Sequence, residues 1–369
     1  VAKKKTAKKK TAEKPTAFVP AGTTVASDAH WDCEVLATGI PSLDHILGGG
    51  LGCKRIAEIF GPPGCGKSAI GYYLLSRTVK QGGVAILSDN EGAFNRLFYK
   101  GLGGDPDKLF IADEFVTATV EELFDFLRKT IEEYGKLGPD VPPMFILWDS
   151  IAATCTLHLQ EAEPGKRDLS KSTAMSAGLQ KIMPFVRSAN VCVLGINQTI
   201  QNINKRGGPS YTTPGGDRWK FLSSQRIDMW YSTAHHINVD DQHVGQRVSV
   251  KIPKSRMGSP QQSASLYFYT VAGAQHPVYK DRLTPFGFDV EQSLWDYYLN
   301  GDFFYDDEGR DVTSRVVQAN GSWYKLHPSI EPDNKSFHAT DWLEKLDKYP
   351  HLKTLLYDDL EIDPNTVTL

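Results

Sequence analysis

Two rhythms of apolar and polar positions alternate along this chain. Short, mostly apolar runs stand at Arg55–Phe60, Val84–Asp89, Met144–Trp148 and Val191–Ile196. Runs of this length, bounded by glycine or polar turns, predict strands buried on both faces of a parallel sheet. Between them the period becomes helical. Ser68 to Lys80 is predicted to be a helix ended by Gln81-Gly82-Gly83, and Val120, Leu123, Phe124, Leu127 and Ile131 form an apolar stripe behind a Thr119/Glu122 capping box. From Arg247 strict alternation takes over in Arg247–Pro253 and Ser263–Thr270, which read as a hairpin bracketing Lys254 to Gly258. The succession predicts an α/β fold with a mostly parallel central sheet flanked by helices.

Three regions follow from the same reading. Residues 1–30 form a Lys-rich arm and a Pro/Thr/Ala linker, 31–275 a large α/β core, and 276–369 a small α/β domain with an acidic tail. In the last region Asn320-Gly321 predicts a turn and Ala339–Leu346 a helix. Inside the core, two long polar stretches, roughly Leu159–Lys171 and Thr199–Gly216, follow the third and fourth strands. Loops this long are uncommon unless they are functional or mobile.

Composition narrows the setting. The 369 residues are 40% hydrophobic, with no apolar stretch near membrane-spanning length and no short apolar run at the start, so a cytoplasmic protein is expected. Cys33, Cys53, Cys65, Cys155 and Cys192 are scattered and odd in number, which suits free thiols in a reducing compartment. Net charge is −3, but residues 1–14 carry seven Lys and one Glu, a local +6 that leaves −9 on the rest. Such an arm has little to bury and can touch nucleic acid by charge alone.

The chemistry begins at Gly61-Pro62-Pro63-Gly64-Cys65-Gly66-Lys67-Ser68, set between a predicted strand and helix. Glycines at this spacing let backbone N–H groups wrap phosphate oxygens, and the helix from Ser68 and Ala69 onward aims its positive end at the anion. Lys67 would neutralise the outer phosphates of ATP, and Ser68 would reach Mg²⁺. Asp149, closing an apolar strand, suits a second element of the metal site. The residues alone leave the base that activates water open among Asp89, Glu91 and Asp149.

A resemblance covers about residues 34–270. Glu34 to Asp44 with Leu47-Gly48-Gly49-Gly50-Leu51, running into Arg55–Ser68, resembles the opening of the RecA-family core. Asp89-Asn90-Glu91 resembles the D-x-E after its next strand, Asp149-Ser150 its second metal element, and Ile196-Asn197-Gln198 the I-N-Q before its second DNA loop. Pro214-Gly215-Gly216-Asp217 with Lys220-Phe221 resembles the end of that loop, and Lys251–Arg256 a K-x-x-K-x-K segment. Asn320–Tyr324 and Ala339–Leu343 resemble the C-terminal domain of bacterial members and of phage recombinases such as UvsX, so a phage-encoded relative, acting in the host cytoplasm, is expected.

The resemblance implies a DNA-dependent ATPase that forms a helical filament on single-stranded DNA and pairs it with double-stranded DNA. It implies Glu91 as catalytic base, Phe98 as adenine stacker with Asn95 beside the base, and Gln198 as γ-phosphate sensor. Lys254 and Arg256 would reach the ATP of a neighbouring subunit, although Arg256 stands where the family has Lys, and Gly92 where it usually has His. DNA contacts are implied at Lys166, Arg167, Lys171 and Ser176 in and after the first loop, and at Ile203, Lys205, Arg206, Gly215 and Gly216 in the second. Phe18-Val19-Pro20-Ala21 matches the F-x-x-A linker motif of eukaryotic and archaeal relatives, which implies subunit docking through Phe18 and Ala21. The rival readings are a hexameric helicase of the same fold and an ATPase that assembles protein partners without DNA.

Overall fold

The computed structural model describes residues 34–138, 140–161, 170–201, 211–279, 282–300, 316–326, 328, 330–333 and 335–359. Phe18, Ala21, Lys166, Arg167, Ile203, Lys205 and Arg206 lie outside the described residues, as does the Lys-rich arm.

The chain enters through a small antiparallel pair, β1 (Val35–Leu36) and β2 (Leu51–Gly52), that encloses α1 (Pro41–Leu47). The core then alternates strand and helix. In order come β3 (Arg55–Gly61), α2 (Lys67–Lys80), β4 (Val84–Asp89), α3 (Arg96–Gly101), β5 (Leu109–Ile111), α4 (Val120–Gly135), β6 (Met144–Asp149), α5 (Leu157–Gln160), α6 (Lys171–Ser188) and β7 (Val191–Gln198). A short pair, β8 (Ile200–Gln201) and β9 (Tyr211–Thr212), forms the stem of the second long loop. It is followed by α7 (Gly216–Leu222), β10 (Gln225–Trp230), β11 (His236–Val239), β12 (Gln242–Ser255) and β13 (Ser263–Tyr269).

Beyond the core lie β14 (Gly287–Phe288), α8 (Val290–Asn300), β15 (Val316–Asn320), β16 (Trp323–Leu326), β17 (Ser336–His338), α9 (Trp342–Lys348) and α10 (Pro350–Asp359). The main sheet has the order β14-β13-β12-β10-β3-β7-β6-β4-β5, with β11 paired to β12. The six strands from β10 to β5 are parallel; β12, β13 and β14 extend them antiparallel. The expected mostly parallel sheet is present.

Burial explains the mostly apolar runs. Along β6, Phe145 and Leu147 join one buried cluster with α2, while Ile146 and Trp148 join another with α4 and α6. Successive side chains point to opposite faces, so a strand covered on both sides needs no polar position. The capping box at Thr119 and Glu122 forms as read, with Glu122 accepting from the Thr119 backbone N–H at 3.1 Å. A third cluster gathers Tyr279, Trp295, Leu326, Phe337, Trp342 and Leu356, and α8 serves both neighbours, giving Leu294 to the first cluster and Trp295 to the third. The Asn320-Gly321 turn joins β15 to β16.

The sequence reading underestimates some strands. β12 begins at Gln242 and runs through Lys254 and Ser255, which were expected in the turn. Backbone pairing with β10, Arg226 opposite Lys254 and Gln225 opposite Ser255, keeps those polar residues extended. β10 itself was not foreseen, since Gln225-Arg226-Ile227-Asp228 alternates charge into a strand next to the sheet centre.

Candidate active site

β3 delivers the phosphate loop to the edge where the parallel strands end. Gly61 is obligatory on steric grounds: a Cβ there would lie 2.0 Å from the carbonyl oxygen of Met229 on β10. Gly66 stands at the N-cap of α2 with φ of 88°, in the left-handed region that glycine enters at no steric cost. The loop thus passes into α2 with the backbone N–H groups of its first turn unused by the helix, the arrangement that binds anions. Lys67 is buried, and its ammonium donates to the carbonyls of Gly61 and Pro62 at 3.0 and 2.7 Å. Cys65 is buried beneath the loop, and burial pushes its thiol pKa up.

Two strands bring three carboxylates to the same edge. Register sets Asp89 of β4 level with Asp149 of β6. Asp149 is 1% exposed, and neither of its oxygens has a hydrogen-bond partner. Burial lifts its pKa to about 6; the Ser68 hydroxyl, near but outside hydrogen-bond geometry, pulls it down, and the charges of Glu91 and Asp89 push it further up. A buried carboxylate left in this condition calls for a cation or a donor. The donor set of Asp149, Ser68 and Lys67 at a helix N-terminus fits a divalent cation carrying a phosphate chain.

The candidates for the base separate in this geometry. Asp89 is committed to the turn after β4, accepting from the backbone N–H groups of Ala93 and Phe94 at 3.2 and 2.8 Å. Asp149 is buried. Glu91 is exposed, and its Oε1 accepts from the Ser150 hydroxyl at 2.5 Å and from the Gln198 amide at 3.3 Å. Ser150 was not singled out beforehand except as the neighbour of Asp149.

Gln198 ends β7 just before the stem of the second loop. Its backbone N–H donates to Oδ1 of Asn197, whose Nδ2 donates to Glu58 and to the Pro214 carbonyl, both at 2.9 Å. Glu58 is fully buried and pairs at 2.5 Å with Arg226, which lies over the Phe60 ring and reaches Thr213 at 3.4 Å. One polar network therefore runs from the end of β7 to the returning end of the second loop. The signal for it was a Glu in an apolar strand, since a charge buried in a parallel sheet is almost always paired.

The remaining predicted residues fall in several places. Asn95 caps α3 by accepting from the Phe98 N–H, and the Phe98 ring is half-buried among Tyr72, Phe268 and Phe286. Gly215 is buried against Ile151 and Met175, Gly216 leans on Ser172, and both have positive φ. Lys171 opens α6 and donates to the Ala152 carbonyl at 3.0 Å; Ser176, read as the start of this helix, sits five residues further on and half-buried.

Lys254 and Arg256 are not at the phosphate edge of this chain. Lys254 is level with Arg226 and through it with Glu58, three residues before Gly61; the Arg256 N–H bonds the Ser224 carbonyl, further back still. There Lys254 donates to the carbonyls of Lys220 and Phe221, both at 2.7 Å, and Arg256 to that of Phe221 at 3.0 Å, capping the C-terminus of α7. Burial, with Arg256 and Arg226 nearby, lowers the Lys254 pKa to about 8.

Among the described residues no helix is long and apolar enough to cross a membrane. Comparison with known proteins finds relatives over most of the chain. Protein RecA of Thermus aquaticus is 32% identical over 238 residues, covering 64% of this chain and 67% of the relative. Protein RecA of Methylococcus capsulatus is 30% identical over 295 residues, 79% of this chain and 74% of the relative. Protein RecA of Symbiobacterium thermophilum is 28% identical over 314 residues, 85% of this chain and 79% of the relative. Residues 20–274, which hold the phosphate loop, the three carboxylates and Gln198, match the model of the RecA N-terminal domain, and the chain belongs to the RecA family.

Proposed function

We propose that this protein is an ATP-dependent recombinase that forms a helical filament on single-stranded DNA and catalyses homologous pairing and strand exchange with double-stranded DNA. The observation that carries the reading is the bond from Gln198 to Glu91, because it joins the candidate base of ATP hydrolysis to the residue that ends β7 just before the stem of the second loop.

In this reading the backbone of Gly61, Pro62, Pro63, Gly64, Cys65, Gly66 and Ala69 wraps the phosphates while Lys67 neutralises their charge. Ser68 and Asp149 hold Mg²⁺, which when bound supplies charge neutralisation at the phosphate oxygens. Phe98 stacks on adenine and Asn95 lies beside the base. Glu91, oriented by Ser150, takes the proton of the attacking water at Oε. Gln198 exchanges its bond to Glu91 for one to the terminal phosphate, and Asn197 carries the change to Pro214. DNA is held by Lys166, Arg167, Lys171 and Ser176 and by Ile203, Lys205, Arg206, Gly215 and Gly216. Lys254 and Arg256 reach the phosphates of a neighbouring copy, and Phe18 with Ala21 docks the linker on that copy. A head-to-tail contact whose rotation does not close generates an open helix.

Electron microscopy of the protein with single-stranded DNA and a non-hydrolysable ATP analogue tests this directly. Helical filaments that require both ligands support it; closed rings, or particles that ignore DNA, would overturn it.

A further inference from the structure

Strand β10 touches the phosphate loop and the second loop without passing through Gln198. At its end the Met229 carbonyl abuts Gly61, and the Tyr231 hydroxyl would stand 2.9 Å from a Cβ on Gly64. Gln246 on the adjoining β12 donates to the Gly64 carbonyl at 3.0 Å, so the loop leans on this corner of the sheet from both strands. The same β10 holds the returning strand of the second loop. The Tyr211 hydroxyl donates to Asp228, and Arg226 donates to Thr213. Asp228 is level with Phe60, one residue before Gly61.

We infer that Tyr211 and Asp228 are positioning residues that form a second tie between the phosphate loop and the stem of the second loop, independent of Gln198. The inference rests on reading those two segments as nucleotide-binding and DNA-binding. Asp228 is half-buried, faces Lys251 across the β12 pairing and has Arg226 two residues before it. A phenol that donates to a carboxylate in such a place makes a charge-assisted bond, stronger than a neutral one. The bond to Asp228 also pushes the Tyr211 pKa up to about 12, so the hydroxyl remains a donor at any neutral pH. A shift of the phosphate loop against Met229 and Tyr231 therefore moves the strand that holds Tyr211.

Amide hydrogen exchange of residues 211–216, measured without DNA and with or without a non-hydrolysable ATP analogue, tests the tie. In the native protein the analogue should slow exchange there about tenfold, the scale of one charge-assisted hydrogen bond. In Tyr211→Phe the nucleotide effect should shrink to less than about twofold, although affinity for a fluorescent ATP analogue is unchanged. Asp228→Asn retains a neutral acceptor for Tyr211 and should keep an intermediate response of about threefold, since a neutral hydrogen bond has roughly half the strength of a charge-assisted one. A native protein without the response, or a Tyr211→Phe variant whose exchange is faster overall yet retains the nucleotide response in full, would each overturn the tie. The proposed function is judged apart from this, by DNA filament formation of the native protein. Filaments with no exchange response remove the tie alone, and an exchange response without filaments removes the recombinase reading alone.

Discussion

At the edge where the parallel strands end, Asp89, Glu91 and Lys67 stand around Asp149; at the start of β10, Lys254 and Arg256 stand beside Arg226 with Glu58 close by. The two edges differ in more than sign. Asp149 is buried with both oxygens unsatisfied, whereas Lys254 and Arg256 already donate to the carbonyls that close α7. One edge holds a buried carboxylate without a hydrogen-bond partner, and the other satisfies its donors within the chain. A trans role for Lys254 and Arg256 would thus require them to leave the α7 carbonyls, so the proposed second half of the active site is available only when assembly offers phosphates in exchange.

The strongest break of this comparison is at Glu91. Glu91→Gln should hydrolyse ATP about 10²–10⁴-fold more slowly, the range for loss of a general base, while still binding nucleotide. Lys67→Ala should lose nucleotide binding and with it ATP-stimulated DNA binding. Phosphate release and a fluorescent nucleotide separate the two effects. Normal hydrolysis by Glu91→Gln would return the role to Asp89, despite its place in the turn after β4.

Mixing experiments probe the opposite edge. Lys254→Ala alone and Glu91→Gln alone should each be inactive in DNA-dependent hydrolysis. An equal mixture should recover about a quarter of native activity, since in a head-to-tail assembly one interface in four joins an intact Glu91 to an intact Lys254. Recovery of nothing would mean that both residues serve the same chain, which the register of β10 and β12 argues against.

The nucleotide edge was legible because its signals are local. A phosphate loop, an apolar strand ending in Asp149 and a capping box at Thr119 each occupy a few consecutive residues, and each formed as read. The coupling network was not legible, because Glu58, Asn197, Arg226 and Thr213 meet only when β3, β7 and β10 become neighbours. Ser150 escaped for a related reason: its partner Glu91 is 59 residues away, and only the pairing of β4 with β6 brings them together. The reach of Lys254 was likewise hidden, since the K-x-x-K-x-K spacing says nothing about which end of the sheet the strand puts it on.

Stability measurements sharpen the contrast at the edge that holds Asp149. The folded pKa of Asp149 is about 6 against 3.8 for the ordinary carboxyl, so its contribution to stability is present below pH 3.8 and is lost as pH rises through 6. At neutral pH without ligands the ionised group costs on the order of 3 kcal/mol, from about two units at 1.36 kcal/mol each. Asp149→Asn should recover about 2 kcal/mol of that above pH 6, less than the whole because the amide is itself left unpaired, and nothing near pH 4. Urea unfolding across this range gives the answer. The same variant should bind the Mg²⁺ complex of ATP more weakly, and native binding should weaken as pH falls below 6.

The smallest effect should come from the edge that holds Lys254, and its smallness is the test. The Lys254 ammonium has a folded pKa of about 8 against 10.5, so its contribution is present above pH 10.5 and lost as pH falls through 8. Taken alone that predicts a gain from removing the charge at neutral pH. Yet the group is half-exposed, where water and salt screen most of such a penalty, and it supplies two hydrogen bonds to the last turn of α7. These terms oppose one another, so Lys254→Met should change unfolding stability by no more than about 0.5 kcal/mol at 0.1 M salt. In 1 M salt, with the screening length near 3 Å, any residual charge effect should disappear, whereas the gain from Asp149→Asn should persist because its penalty is desolvation. A loss of ~2 kcal/mol or more in Lys254→Met would show that capping α7 is the main work of this lysine. It could then leave α7 for a neighbouring phosphate only at a cost that assembly would have to exceed, and the trans role proposed for it would fail.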